Sequence, residues 1–178
     1  MKILTITNYY PPHFIGGYEI ACKDTMDFLK SKGHEIVVLT SDYHNNQDNK
    51  DNVLRKMNLI DYATSSKIQK KMDEYKNYEI VLDTINIFKP DLVYFWSLRG
   101  LGINLIEAVQ NQNIPKVFEI GDFWMYGYMQ KESKLKQIIK SFIPFFNTKK
   151  IKITPSICVS NWVAKEMQEV YKSDTTYT

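Results

Sequence analysis

The chain has 178 residues, 44% hydrophobic and 24% charged, with a formal net charge of +3. That length supports one substantial core rather than two full α/β domains, and the charge is too small to argue for nucleic acid as a partner. The two cysteines, Cys22 and Cys158, lie outside any C-x-x-C or metal-ligand spacing, which excludes a disulfide scaffold and fits a reducing cytoplasm.

Lys2–Thr7 is β-branched and mostly apolar and reads as a buried strand. The run is too short for the apolar core of a signal peptide, and no later run reaches the roughly 18–20 residues that cross a bilayer. The segment "NYYPPHFIGGYEIA" (8–21) follows, in which Tyr9, Tyr10, two prolines, a histidine and a glycine pair precede a helix. Ala21/Cys22, Thr25/Met26 and Leu29 fall at helical spacing, with Glu19, Lys23, Asp24, Asp27 and Lys30 on the other face. Gly33 marks the C-cap, and "EIVVLTS" is a second apolar strand. Strand, helix and strand in this order form a βαβ unit with parallel strands and a right-handed crossover.

Residues 44–52 are polar and aperiodic, a loop, and 53–62 reads as a short edge strand or hairpin. From 66 to 88, Ile68, Met72, Tyr75, Tyr78, Leu82, Ile85 and Phe88 step by threes and fours, predicting a long amphipathic helix closed by "KPD". "DLVYFW" is strand-like, Leu101, Leu105 and Ala108/Val109 carry a helix, and "IPKVFEI" is a strand. The segment 131–152 reads as partly helical, broken at Pro144. "SICVS" and a helix through Val163, Met167 and Val170 close the pattern. Five strand candidates alternating with helices predict an α/β fold, a Rossmann-like doubly wound, mostly parallel sheet with helices on both faces. Ligands bind such sheets beyond the carboxyl ends of the strands. The opening loop, "SDYH", "WSLRG" and "GDFWMYG" converge there.

Gly16 and Gly17 precede a helix whose first amides are unpaired and whose dipole is positive, so a phosphate or diphosphate fits against them. The pair is equally compatible with an ordinary tight turn. It is neither the G-x-G-x-x-G fingerprint nor a P-loop, which disfavours a nicotinamide-dependent oxidoreductase.

Taken together, "YYPPHFIGGYE…KGHEIVVLTS", "KPDLVYFWS", "NIPKVFEIGDFW" and "ICVSNWVAKEM" resemble, in order, the acceptor-side domain of family 4 retaining GT-B glycosyltransferases. The resemblance implies a hexosyl-type transferase moving a sugar from a nucleotide-sugar donor to a glycan or lipid-linked acceptor, with no cofactor and no metal. Gly16 and Gly17 would bind the donor diphosphate. Asp122 is the candidate catalytic residue, and His13, Glu19, Arg99, Phe123 and Trp124 would line the acceptor side of the cleft. Many relatives carry a histidine before the aspartate where this chain has Gly121, which puts a histidine-assisted step in doubt.

Each assignment has a plainer alternative. Glu19 is also a first-turn carboxylate favoured by the dipole, and His13 a solvated loop side chain. Asp122 also suits an N-cap, Trp124 core packing, and Arg99 simple solvent exposure. His34 reads as structural. The 131–152 segment carries seven lysines and one glutamate among apolar residues. Lys134, Lys136, Lys140, Phe145 and Phe146 could therefore meet an anionic membrane surface, or form a core-packed helix with a solvated lysine face.

The resemblance further implies that residues 1–178 are a single acceptor-side domain lacking the C-terminal donor-binding domain. Such a chain would be inactive alone, located in the cytoplasm or at the inner face of the membrane. The alternative is a non-catalytic Rossmann-like module binding a glycan, lipid head group or protein partner.

Overall fold

A computed structural model describes residues 1–45, 52–124, 151–171 and 176–177. The strands are β1 (Lys2–Ile6), β2 (Glu35–Ser41), β3 (Val53–Met57), β4 (Leu92–Phe95), β5 (Lys116–Ile120), β6 (Ser156–Cys158) and β7 (Thr176–Tyr177). The helices are α1 (Gly17–Ser31), α2 (Lys67–Phe88), α3 (Asn104–Asn111) and α4 (Asn161–Tyr171). All seven strands form one parallel sheet in the order β3-β2-β1-β4-β5-β6-β7. Order reverses at β1, with β2 on one side and β4 on the other. This is the switch point where doubly wound sheets open a crevice.

The period-two alternation of each strand feeds two cores. One face carries Leu4, Ile6, Phe95, Phe118 and Ile120 against apolar residues of α2, α3 and α4. There the rings of Phe95 and Phe118 stack with centroids 5.0 Å apart. The other face carries Ile3, Val38, Tyr94 and Trp96 beneath Cys22 and Met26 of α1. Helices on both faces follow from right-handed crossovers running in opposite directions from β1.

Helix ends follow their sequence signals. Lys32 caps α1, and Gly33 follows at φ +86°, a left-handed position where a Cβ is strained. Ser66 caps α2 by accepting the Gln69 amide at 3.1 Å. Lys89 closes α2 in the left-handed conformation, just before Pro90.

Of the two readings of 53–62 the edge strand holds, with residues 53–57 pairing in parallel with β2. Thr176–Tyr177 adds β7 at the opposite edge. Two expectations change. Helix α3 begins at Asn104, so Leu101 packs into the core from the preceding loop. The apolar stripe of α2 is core only in its second half. Val81, Ile85 and Phe88 are buried, whereas Ile68, Met72 and Tyr75 face solvent. The first half of α2 packs on loops, whose backbone groups demand polar partners. Asn77 therefore accepts the Asn58 amide and donates to the carbonyls of Asn58 and Leu101. Among the described residues no helix is long and apolar enough to cross a membrane.

Candidate functional site

At the carboxyl ends of β1, β4 and β5 lies a cleft of about 410 Å³. The chain leaves β1 through Asn8, whose amide donates to the Ser97 carbonyl at 2.8 Å and so ties the β1 and β4 exits together. The Asn8 carbonyl accepts from the hydroxyls of Thr40 and Ser41, which joins the β2 exit to the same point. All four residues are buried, so these bonds hold the loop rather than decorate it.

Arg55 of β3 pins the next residues. Its guanidinium donates to the Tyr10 carbonyl at 3.1 Å and the Pro11 carbonyl at 2.7 Å. A planar fork suits two adjacent carbonyls in a way an ammonium does not.

At the start of α1, the Glu19 carboxylate accepts the Gly16 amide at 2.9 Å and the Ile15 amide at 3.2 Å. Glycine has no side chain to return the bond, so this is the carboxylate half of a capping box. Both readings of Glu19 hold at once: it caps the helix, and it lines the cleft. One consequence refines the phosphate reading. The Gly16 amide is already engaged, whereas those of Gly17 and Tyr18 precede any intrahelical acceptor. Both residues line the cleft at the positive end of the helix dipole.

Across the cleft, Arg99 from the β4 exit donates to Asp122 from the β5 exit at 2.8 Å. Both side chains are largely exposed, so the pair adds little stability and is free to re-partner with an anion. The other Asp122 oxygen accepts the Trp124 amide at 3.0 Å, the short-range bond of a capping aspartate. Gly16, Gly17, Glu19, Arg99 and Asp122 therefore meet in one cleft, together with Asn8, Tyr9, Tyr18, Ser97 and Tyr62.

Three expected cleft residues lie elsewhere. Trp124 is buried in the core, because its indole completes the apolar cluster of the α3 face. Phe123 turns away to meet Trp162 edge-on, with centroids 5.1 Å apart. His13 packs between Tyr43 and His44 at ring distances of 5.9 and 5.4 Å. Desolvation, then the nearby Arg55 and His44, lower the pKa of His13 and favour its neutral form. Lys134, Lys136, Lys140, Phe145 and Phe146 fall outside the described residues. No group of three or more metal-ligating side chains occurs among the described residues.

Beneath the cleft, the Tyr18 hydroxyl donates to the Glu119 carbonyl at 2.5 Å and the Tyr94 hydroxyl to the Glu119 carboxylate at 2.6 Å. Burial raises the Glu119 pKa, opposed by the Tyr94 bond. Burial, reinforced by the Glu119 charge, pushes the Tyr18 phenol far above its ordinary value, so it stays neutral. Sequence patterning missed Asn8, Tyr18 and Arg55. Asn8 had a usable signal, its place directly after a parallel strand. Tyr18 and Arg55 act on groups distant in sequence and left none.

No protein-family model matches the chain. It is 22% identical over 140 residues to an uncharacterized 42.6 kDa protein in the cps region of Klebsiella pneumoniae, covering 70% of this chain and 38% of that protein. The UDP-GlcNAc 2-epimerase of Methanocaldococcus jannaschii superposes with a TM-score of 0.59 at 10% identity, covering 100% of this chain and 45% of that one. Sucrose-phosphate synthase of Thermosynechococcus elongatus superposes with 0.59 at 12%, covering 98% and 46%. The UDP complex of S. aureus MnaA superposes with 0.56 at 15%, covering 98% and 42%. The chain thus spans less than half the length of each of these proteins. The shared fold is a Rossmann-like domain of the GT-B type.

Proposed function

We propose that the chain is the acceptor-side domain of a family 4 retaining GT-B glycosyltransferase, moving a hexose-type sugar from a nucleotide-sugar donor to a glycan or lipid-linked acceptor. One observation carries the reading. The free first-turn amides of α1 face the Arg99–Asp122 pair across a cleft at the switch point of the sheet. Neighbours of this fold include proteins whose names specify a UDP-sugar substrate or bound UDP, and the sequence motifs point the same way.

In this reading the donor diphosphate lies against the Gly17 and Tyr18 amides, where the dipole offsets its charge. Arg99 leaves Asp122 for a phosphate oxygen, and Asp122 then accepts a hydrogen bond from a sugar hydroxyl. Rate comes from positioning and from stabilising the departing diphosphate. A second domain supplies the facing wall and most of the nucleotide contacts, so the chain alone holds the donor weakly, through its diphosphate, without turning it over.

Thermal unfolding tests this. Ligand binding raises the midpoint in proportion to RT ln(1 + [L]/Kd). UDP, or another nucleoside diphosphate or its sugar, raises it, whereas NAD does not. An NAD-specific rise, or sugar transfer catalysed by the isolated chain, contradicts the proposal.

A further inference from the structure

Gly121 immediately precedes Asp122, and its φ lies outside the left-handed region, so the backbone does not require glycine there. Space does. A Cβ at Gly121 would stand 2.3 Å from Cε2 and 2.6 Å from Cδ2 of Tyr18, well inside contact distance. The obstructing ring is not a loose end. Its hydroxyl donates to the Glu119 carbonyl at 2.5 Å, and the hydroxyl oxygen is itself met by the Gly121 amide. The ring packs, tilted by 60°, on the buried Trp96 with centroids 5.1 Å apart. Trp96 in turn lies 5.5 Å from Tyr94, which holds the Glu119 carboxylate.

Tyr18 therefore touches the ends of β4 and β5 while belonging to the first turn of α1. The Glu119 carbonyl and Trp96 leave the ring little room to swing about its own torsions, so a push on it is passed to the Gly17 and Tyr18 amides of the same helical turn. Restoring ordinary contact after adding a methyl at Gly121 needs a shift of about 1 Å.

We propose that Tyr18 is a positioning residue: wedged over Gly121, its ring sets the spacing between the α1 amides and the Arg99–Asp122 pair, and so the fit of a diphosphate between them. This rests on the nucleotide-sugar reading above. It also assigns the glycine a role: the niche that a side chain at 121 would occupy is filled from α1 by a neutral aromatic spacer.

Calorimetric titration of UDP into the 178-residue chain and its variants tests the wedge. Tyr18→Phe keeps the ring and holds affinity within about threefold, whereas Gly121→Ala weakens binding by on the order of tenfold or more, as a misplacement near 1 Å does. Tyr18→Ala/Gly121→Ala makes room for the methyl, so it regains melting temperature relative to Gly121→Ala without regaining affinity. A merely structural role predicts that affinity returns with stability. That result, or wild-type affinity in Gly121→Ala, overturns the proposal.

If the wild-type chain binds no UDP, UDP-GlcNAc or pyrophosphate, the nucleotide-sugar reading fails instead. The wedge is then judged without ligand, from the Arg99 Nε–Hε resonance. Movement in Gly121→Ala but not in Tyr18→Phe supports the spacing, and an unmoved resonance in Gly121→Ala overturns it.

Discussion

Arg55 illustrates how single side chains build this cleft from a distance. It lies on the edge strand, yet its guanidinium holds two consecutive carbonyls of the opening loop. Charged donors to backbone carbonyls contribute more than neutral ones. Arg55→Ala is expected to cost about 1–3 kcal/mol in urea-induced unfolding and to weaken nucleotide binding. Arg55→Lys recovers only part of either, since an ammonium cannot span both carbonyls. Equal stability of Arg55→Ala and wild type would show that the loop holds itself. The sequence made Gly16, Gly17, Glu19, Arg99 and Asp122 legible as cleft residues because each follows a strand or opens a helix. It misplaced Trp124 and His13, whose direction depends on a core that only folding assembles.

Among the elements, α2 shows where periodic reading stops working. Its spacing located the helix and its caps, because 3.6-residue periodicity and capping chemistry are local. It misjudged the first half, where buried Asn77 serves loop backbone, buried Glu74 meets the Tyr62 hydroxyl and Lys71, and Ile68, Met72 and Tyr75 are left outside. Ser66→Ala, losing the bond to the Gln69 amide, should lower stability by about 1 kcal/mol. Asn77→Leu should be worse despite its apolarity, because the Asn58 amide and carbonyl lose their partner in a buried setting. Denaturant midpoints of the two variants test this ordering, and a more stable Asn77→Leu would contradict it. The edge strands β3 and β7 were hard to read for a related reason. Five and two residues carry too little pattern to separate a parallel edge from a hairpin or a tail.

Across the whole molecule, the buried network under α1 makes stability depend on pH. The folded-state pKa of Glu119 is raised, so between its unfolded and folded values the native state binds more protons than the unfolded one. Its contribution is fully present below the ordinary carboxylate pKa and is lost as pH rises through the folded value. Glu119→Gln keeps an acceptor for Tyr94 and removes the charge. The variant should therefore melt higher than wild type at neutral pH, with the gap closing as pH falls through the folded value and gone below 4.5. A gap that widens on acidification would reverse the assignment. The fold at this scale was legible because βαβ handedness leaves few arrangements for alternating elements. The opening loop's bonds to three strand ends were not, since each joins residues more than thirty positions apart.

The proposed function requires that this switch-point cleft receive a nucleoside diphosphate through the first turn of α1. Backbone amide shifts of the isotopically labelled chain, followed during titration with UDP, read this residue by residue. Saturable shifts are expected at Gly17, Tyr18, Arg99 and Asp122, with the Arg99 side-chain resonance moving as it leaves Asp122. Saturable shifts confined to the amino ends of β5 and β6, around Lys116 and Pro155, or none at any position, would contradict the proposed function.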